Sequence, residues 1–283
     1  MTTTGTDCSL LQIRNLSVDF RLPHRPVLRA VDKASLVVDQ GEIHGLVGES
    51  GAGKTVLANA ILRLVDPPGH IMEGEIVWAG KNLLRLSEHE LYQIRGSGIA
   101  MVFQNAPASL NPALKIHSQL SRILKLRGRL HGAAVRDEAF RLLAAVKLAD
   151  PARALDSYPH ELSGGMAQRV AIAMALACGP RLLIADEPTS ALDVTIAALL
   201  IDLLRELREQ LGLAILLISH DLSVVVRLCD RVSVMFRGRI VEQASVPELC
   251  KNPIHPHTRA LLRAASVPEL LRLHGDTSLE QRA

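Results

Sequence analysis

The sequence predicts an α/β fold with mainly parallel strands and a helical block inserted part-way along. Three observations predict it. An apolar segment ending at Val47 passes through a glycine-rich loop into a helical pattern. From residue 164 onward helices and strands alternate, which argues for parallel strands joined by helix crossovers. Between about 112 and 160 the pattern is helical, with no convincing strand.

The elements follow in order. Residues 11–20 (LQIRNLSVDF) and 35–47 (SLVVDQGEIHGLV) are rich in apolar and β-branched residues and read as strands, the second broken by Gly41. Residues 54–65 carry apolar residues at helical spacing. The Pro/Gly segment 65–74 reads as a loop, followed by a short strand at 75–78. A polar stretch around 85–95 precedes a strand at 99–103. Within the helical block, residues 138–149 are amphipathic. Then come a helix over 164–178, a strand over 181–185, a helix over 195–211 and a strand over 213–218. Residues 1–250 read as one domain, with the helical insertion at about 105–160. Residues 251–283 read as a polar tail of surface helices.

Composition narrows the class. A chain of 283 residues is long enough for one large α/β domain or two small ones. Hydrophobic residues make up 48% and aromatics 2%, so the core must be built from Leu, Val, Ile and Ala. The mean hydropathy of +0.20 leaves room for a partner to cover some apolar surface. No apolar run approaches the ~18 residues that span a bilayer, and the N-terminus lacks the pattern of a signal peptide. The expectation is a cytosolic chain, or one attached to a membrane through another protein. Cys8, Cys178, Cys229 and Cys250 are far apart, which suggests neither a zinc site nor a disulfide framework. The net charge of +3, from 32 basic and 29 acidic residues, is too even to argue for nucleic acid. The Arg/Lys-rich stretch 122–129 has no aromatics beside it and reads as a solvated helix face.

GESGAGKT, residues 48–55, has the spacing of a phosphate-binding loop between a strand and a helix. Gly48, Gly51 and Gly53 let backbone N–H groups surround phosphate oxygens, and Glu49, Ser50 and Ala52 complete the loop. The helix start presents its positive dipole end to the same anion. Lys54 can reach the β- and γ-phosphates, and the Thr55 hydroxyl can ligate Mg²⁺. A second acidic site follows the apolar strand in RLLIADE, residues 181–187. Asp186 is placed to hold Mg²⁺ through water, and Glu187 to polarise an attacking water.

LSGGMAQRV, residues 162–170, chooses among nucleotide-hydrolysing classes. Ser163, Gly164 and Gly165 begin a helix and offer a hydroxyl and bare amides to an anion. Here the sequence resembles the ATP-binding subunits of ABC transporters. The resemblance implies a P-loop ABC ATPase core of mainly parallel sheet, with an antiparallel β subdomain and an inserted helical subdomain. It also implies that the 163–165 signature of one subunit closes over ATP held by another subunit. Gln104, in VFQN, matches the loop that touches Mg²⁺ or water and senses the membrane partner. Ser190, Ala191, Leu192 and Asp193 match the D-loop. His220, in LLISHD, matches the switch histidine at the γ-phosphate, and Phe20 is the candidate for the aromatic that stacks on adenine.

The resemblance covers roughly residues 10–265. YPHELSGGMAQRVAIAMAL (158–176) and DEPTSALDVT (186–195) look like the D-type ATPases of oligopeptide, dipeptide and nickel importers. NPIHPHTRALL (252–262) looks like that family's tail motif, with His257 where tyrosine is usual. His255 and His257 read as tail-packing residues rather than metal ligands. Many relatives carry an iron–sulfur segment after this motif; no cysteine follows Cys250 here, so no cluster is expected. The implied ligands are ATP and Mg²⁺. The implied partners are a permease, a second ABC ATPase (a paralogue or a second copy) and, indirectly, an extracytoplasmic solute-binding protein. The implied location is the cytoplasmic face of the inner membrane. An ABC-type ATPase of a soluble complex, such as one resembling carbon–phosphorus lyase machinery, is the competing reading. The cargo is not legible, because such a subunit does not touch it.

Overall fold

The structure, a computed structural model, describes residues 9–126, 130–190 and 192–265. In chain order the strands are β1 (Ser9–Phe20), β2 (Leu28–Asp39), β3 (Ile43–Val47), β4 (Gly69–Trp78), β5 (Lys81–Asn82), β6 (Ile99–Val102), β7 (Leu182–Asp186), β8 (Ala214–Ser219), β9 (Arg231–Phe236) and β10 (Arg239–Ser245). The helices are α1 (Lys54–Ile61), α2 (Glu88–Ile94), α3 (Ala106–Ser109), α4 (Ile116–Leu126), α5 (Ala133–Ala145), α6 (Pro151–Asp156), α7 (Gly164–Leu176), α8 (Val194–Leu211), α9 (Leu222–Leu228), α10 (Val246–Lys251) and α11 (Pro256–Ala264). These elements fall into two compact units: residues up to 91 together with those from 216, and residues 92–215.

The first unit holds an antiparallel sheet of order β2-β1-β4-β5. It also holds β3, which pairs parallel with β9 from His44↔Arg231 to Val47↔Val234. β10 folds back antiparallel on β9. β1 buries Leu10, Leu11 and Ile13 and then an unbroken run from Leu16 to Asp19, and its register shifts between Ile13 and Leu16, where Asn15 takes φ 47. The segment read as a loop, 65–74, is half strand. β4 begins at Gly69, paired with Phe20, and continues through His70 opposite Asp19 and Ile71 opposite Val18. Pairing to β1 outweighs the local loop composition, as strand propensity commonly yields to tertiary context. The first helix is also shorter than its periodicity suggests. It ends at Ile61, and Arg63 turns left-handed at φ 51 while the Leu64 N–H returns to the Asn59 carbonyl at 2.8 Å.

β3 carries a polar chain that the sequence did not announce. His44 is fully buried, with Nδ1 3.0 Å from Glu42 Oε1 and Nε2 2.8 Å from Ser233 Oγ. Serine, histidine and glutamate in that order resemble a hydrolase triad. Ser233 is itself fully buried, so no substrate can reach its hydroxyl, and the chain instead ties β3 to β9. Buried polar groups persist when all are hydrogen-bonded in this way.

In the second unit β6 and β7 pair parallel, Ile99↔Leu182 to Val102↔Ala185. Both are buried runs, as expected for strands covered on two faces. Helices α3 to α6 form the helical block. Asp150 caps α6, accepting from the Arg153 N–H at 2.9 Å, with Pro151 in the first turn. α8 starts on Asp193 and stops at Gly212, which is left-handed at φ 62. Its apolar face, Leu200, Leu203, Leu204 and Leu207, is buried.

Candidate functional site

In the first unit the loop 48–53 joins β3 to α1. The sequence places glycine at 53 for two physical reasons. Its φ is +105, and a Cβ there would lie 2.3 Å from the Ala30 carbonyl oxygen. Gly48 backs onto the Met235 backbone, Gly51 and Ser50 are exposed, and Ala52 is buried. The loop closes through the Ala52 N–H to the Glu49 carbonyl at 3.1 Å. Gly53 is the N-cap of α1 and has no side chain to cap it, and the first turn holds no acidic residue. The orphan amides and positive end of α1 therefore stay available to an anion. Lys54 is 5% exposed and arches back, donating to the carbonyls of Gly48 (2.7 Å) and Glu49 (3.0 Å). Thr55, next on the helix, is exposed.

Phe20, the last residue of β1, is half-buried. It lines a hollow of about 230 Å³ with Val56 and Asn59 of α1 and with Val65, Asp66 and Pro67. The aromatic ring therefore shares a hollow with the helix that begins at the phosphate loop. His220 follows β8 and is exposed. The turn that presents it is fixed on both sides. Ser219 Oγ accepts from the Asp221 N–H at 2.9 Å, and the Asp221 carboxylate accepts from the Ser223 N–H at 2.8 Å to start α9.

In the second unit β6 and β7 run parallel as far as Val102↔Ala185, and Gln104 and Glu187 follow just beyond that pair. Gln104 Nε2 donates to Glu187 Oε2 at 2.7 Å. Sequence reading placed both residues in the chemistry but missed that one holds the other. Asp186, at the end of β7, is 1% exposed. Glu187 has φ 45, in the left-handed region, and its carbonyl accepts from the Ser190 N–H at 3.1 Å. The strand thus ends in a tight turn with left-handed backbone at Glu187, a strained conformation of the kind found at functional sites.

The signature behaves as a helix start. Ser163 is the N-cap of α7, its Oγ accepting from the Met166 N–H at 3.3 Å. Around a Cβ at Gly164 there is open space, whereas one at Gly165 would lie 2.8 Å from Ile196 Cγ2 of α8. Gly164 faces outward and Gly165 permits close helix packing. Asp193 caps α8, accepting from the Ile196 N–H at 2.9 Å. Ser190 and Asp193 are exposed and Leu192 half-buried, while Ala191 lies outside the described residues.

Residues 31–190 match the family model described as ABC transporter. The chain belongs to the ABC transporter family. It is an ABC-type ATPase subunit that binds ATP. Among its relatives is a probable peptide ABC transporter ATP-binding protein of Sinorhizobium fredii, 47% identical over 93% of this chain and 78% of that one. The oligopeptide transport ATP-binding protein OppD of Bacillus subtilis is 43% identical over 92% of this chain and 72% of its own length. The dipeptide transport ATP-binding protein DppD of Escherichia coli is 46% identical over 90% and 78%. Solved structures agree with the ABC ATPase fold. An ATP-binding cassette solved as a dimer in a post-hydrolysis state with ADP and Pi has a TM-score of 0.74 at 29% identity, covering 83% of this chain and 98% of that one. The cbiO1 subunit of the cbiONQ transporter complex of Clostridium perfringens also gives 0.74, at 25% identity over 94% and 99%.

Proposed function

We propose that this ABC ATPase hydrolyses ATP to power peptide uptake through a membrane permease, acting as one half of a nucleotide-sandwich dimer with a second ABC ATPase. The observation that carries this reading is the likeness, at 43–47% identity over nine-tenths of the chain, to ATP-binding proteins named for peptide, oligopeptide and dipeptide transport. Residue roles follow from the chemistry. Lys54 and the amides of residues 48–53 bind the β- and γ-phosphates, and Phe20 stacks on adenine. Ser163, Gly164 and Gly165, with Asp193 in the adjoining D-loop, close over the ATP held by the second ATPase. Glu187 takes the proton of the attacking water while Gln104 holds its carboxylate in place, and His220 contacts the γ-phosphate. Thr55, Gln104 and Asp186 offer a hydroxyl, an amide carbonyl and a carboxylate, the all-oxygen set that suits Mg²⁺. When bound, Mg²⁺ would neutralise phosphate charge.

No described helix is long and apolar enough to cross a membrane. Attachment to the cytoplasmic face of the inner membrane would therefore come through the permease, with the helical block at about 105–160 docking on its loops. An external solute-binding protein would deliver the peptide. The test is purification of the tagged chain from its host in mild detergent. A permease pair and a second ATPase are expected alongside it, with ATP turnover stimulated by peptide-loaded binding protein. Recovery with soluble enzymes alone would overturn the transport reading.

A further inference from the structure

The tail reaches the phosphate loop, and a fixed chain of contacts takes it there. Glu242 of β10 is 9% exposed and accepts from the backbone N–H groups of Ile254 (2.8 Å) and His255 (2.9 Å). These bonds fix the entry to α11. His255 Nδ1 then accepts from the His257 N–H at 3.2 Å and caps the helix. His257 is turned inward as a result, its side chain 9% exposed. Its ring centroid lies 4.1 Å from that of Phe236. Phe236 directly follows Met235, whose backbone Gly48 backs onto. The His257 Nδ1 is 3.8 Å from Oε1 of Glu49, the second residue of the phosphate loop. Among the described residues, its Nε2 is buried and has no hydrogen-bond partner.

Glu49 is the wrong charge for a loop that binds a polyanion. Its carboxylate is 65% exposed, so the loop itself does not bury it or hold it aside. A carboxylate free to swing toward the phosphates would oppose binding by like-charge repulsion. We infer that His257 is a positioning residue for nucleotide binding: it reaches from the tail and holds the Glu49 carboxylate away from the phosphates, most strongly when its ring is protonated. The inference rests on the nucleotide reading of the phosphate loop. The other charged groups nearby are already engaged. Arg237 lies 5.1 Å over the Phe236 ring, and His255 caps α11. Lys54 faces the loop carbonyls, Arg259 donates to the Ile254 carbonyl at 2.7 Å, and Glu242 binds backbone. Among the described residues, Glu49 is the acidic group paired with the ring. Tyrosine, usual at this place in the family's tail motif, could pack on Phe236 but would carry no charge near neutral pH.

The experiment compares affinity for a non-hydrolysable ATP analogue in the full chain at about pH 6 and about pH 8, where histidine changes charge. The chains are the wild type, His257→Tyr and Glu49→Gln. Titration of the analogue's own phosphates is common to all three and cancels. The wild type is expected to lose about two- to fivefold more affinity on going to the higher pH than either variant, the range for a partly exposed ion pair. Glu49→Gln should also bind better than wild type at the higher pH. The same pH slope in all three chains overturns the inference. If His257→Tyr proves unstable, Glu49→Gln still decides, because it leaves the tail histidine in place. Failure of wild type to bind the analogue at either pH would instead remove the phosphate-loop reading, a separate and visible result.

Discussion

Lys54→Met separates two jobs the lysine could have. In the structure its ammonium donates to two loop carbonyls, so it could simply hold the loop closed. It could also be the charge that binds the phosphates. At 5% exposure the ammonium sits well out of bulk water. With an effective dielectric near 20, a unit charge about 4 Å away interacts by about 4 kcal/mol. Loss of that term weakens ATP binding about a thousandfold, at about 1.4 kcal/mol per tenfold. Stability should change little. The two lost bonds, about 1.5–3 kcal/mol each when the donor is charged, are offset by the desolvation that a buried ammonium no longer incurs, and methionine fills a similar volume. The thermal midpoint should stay within about 5 °C, given about 2–4 °C per kcal/mol for a domain of this size. Calorimetric titration with ATP and a differential scan of the same sample give both numbers. A midpoint falling well beyond that window, with affinity down less than about tenfold, would refute the argument and make Lys54 a structural clasp.

Other perturbations test other parts. Glu187→Gln should bind ATP but hydrolyse it at least about a hundredfold more slowly, and gel filtration with the proper partner should show a trapped dimer; a monomer under those conditions counts against the sandwich. Ser163→Arg should leave ATP binding intact and stop turnover, and unchanged turnover would mean the signature does not close on nucleotide. Gly165→Ala should lower stability by about 1–3 kcal/mol through overpacking on Ile196, and adding Ile196→Ala should recover part of it in urea unfolding; independent, additive losses would disprove the contact. Glu242 supplies a pH test. Burial alone would raise its carboxyl, but the Ile254 amide, the Thr258 side chain and the His255 amide together hold it below the usual carboxylate range. A depressed carboxylate stabilises the fold above its unfolded value and loses that contribution as pH falls through the folded value. Tail amides should therefore lose protection, relative to their intrinsic exchange rates, below about pH 4.5 in the wild type, and Glu242→Gln should remove that acid dependence.

The parts of this molecule that were legible in the sequence are those in which local spacing carries the chemistry. The phosphate loop needs glycine where φ is positive and a helix directly after it, and both conditions lie within eight consecutive letters. The signature was legible for the same reason, since Ser163 caps the helix its own neighbours form. What could not be read depends on pairing between distant segments. Nothing local says that Gln104 meets Glu187, because the two come together only where β6 lies beside β7. Residues 69–74 look like a loop until β1 supplies the partner strand. The His257–Glu49 contact needs the whole path from Glu242 through the α11 cap before the ring can point inward.

The left-handed backbone at Glu187 filters which side chains the position can accept. Residues branched at Cβ are genuine outliers there, whereas unbranched ones suffer mild strain. A saturation library at 187 should therefore split on two axes. Gln would keep the turn and the side-chain length and report on the lost base, whereas Asp would keep a carboxylate but draw it back from Gln104. Val, Ile and Thr would unsettle the turn as well, so their lost activity would say nothing about the base. The site thus comes with its own set of clean substitutions, and the φ angle names them before any are made.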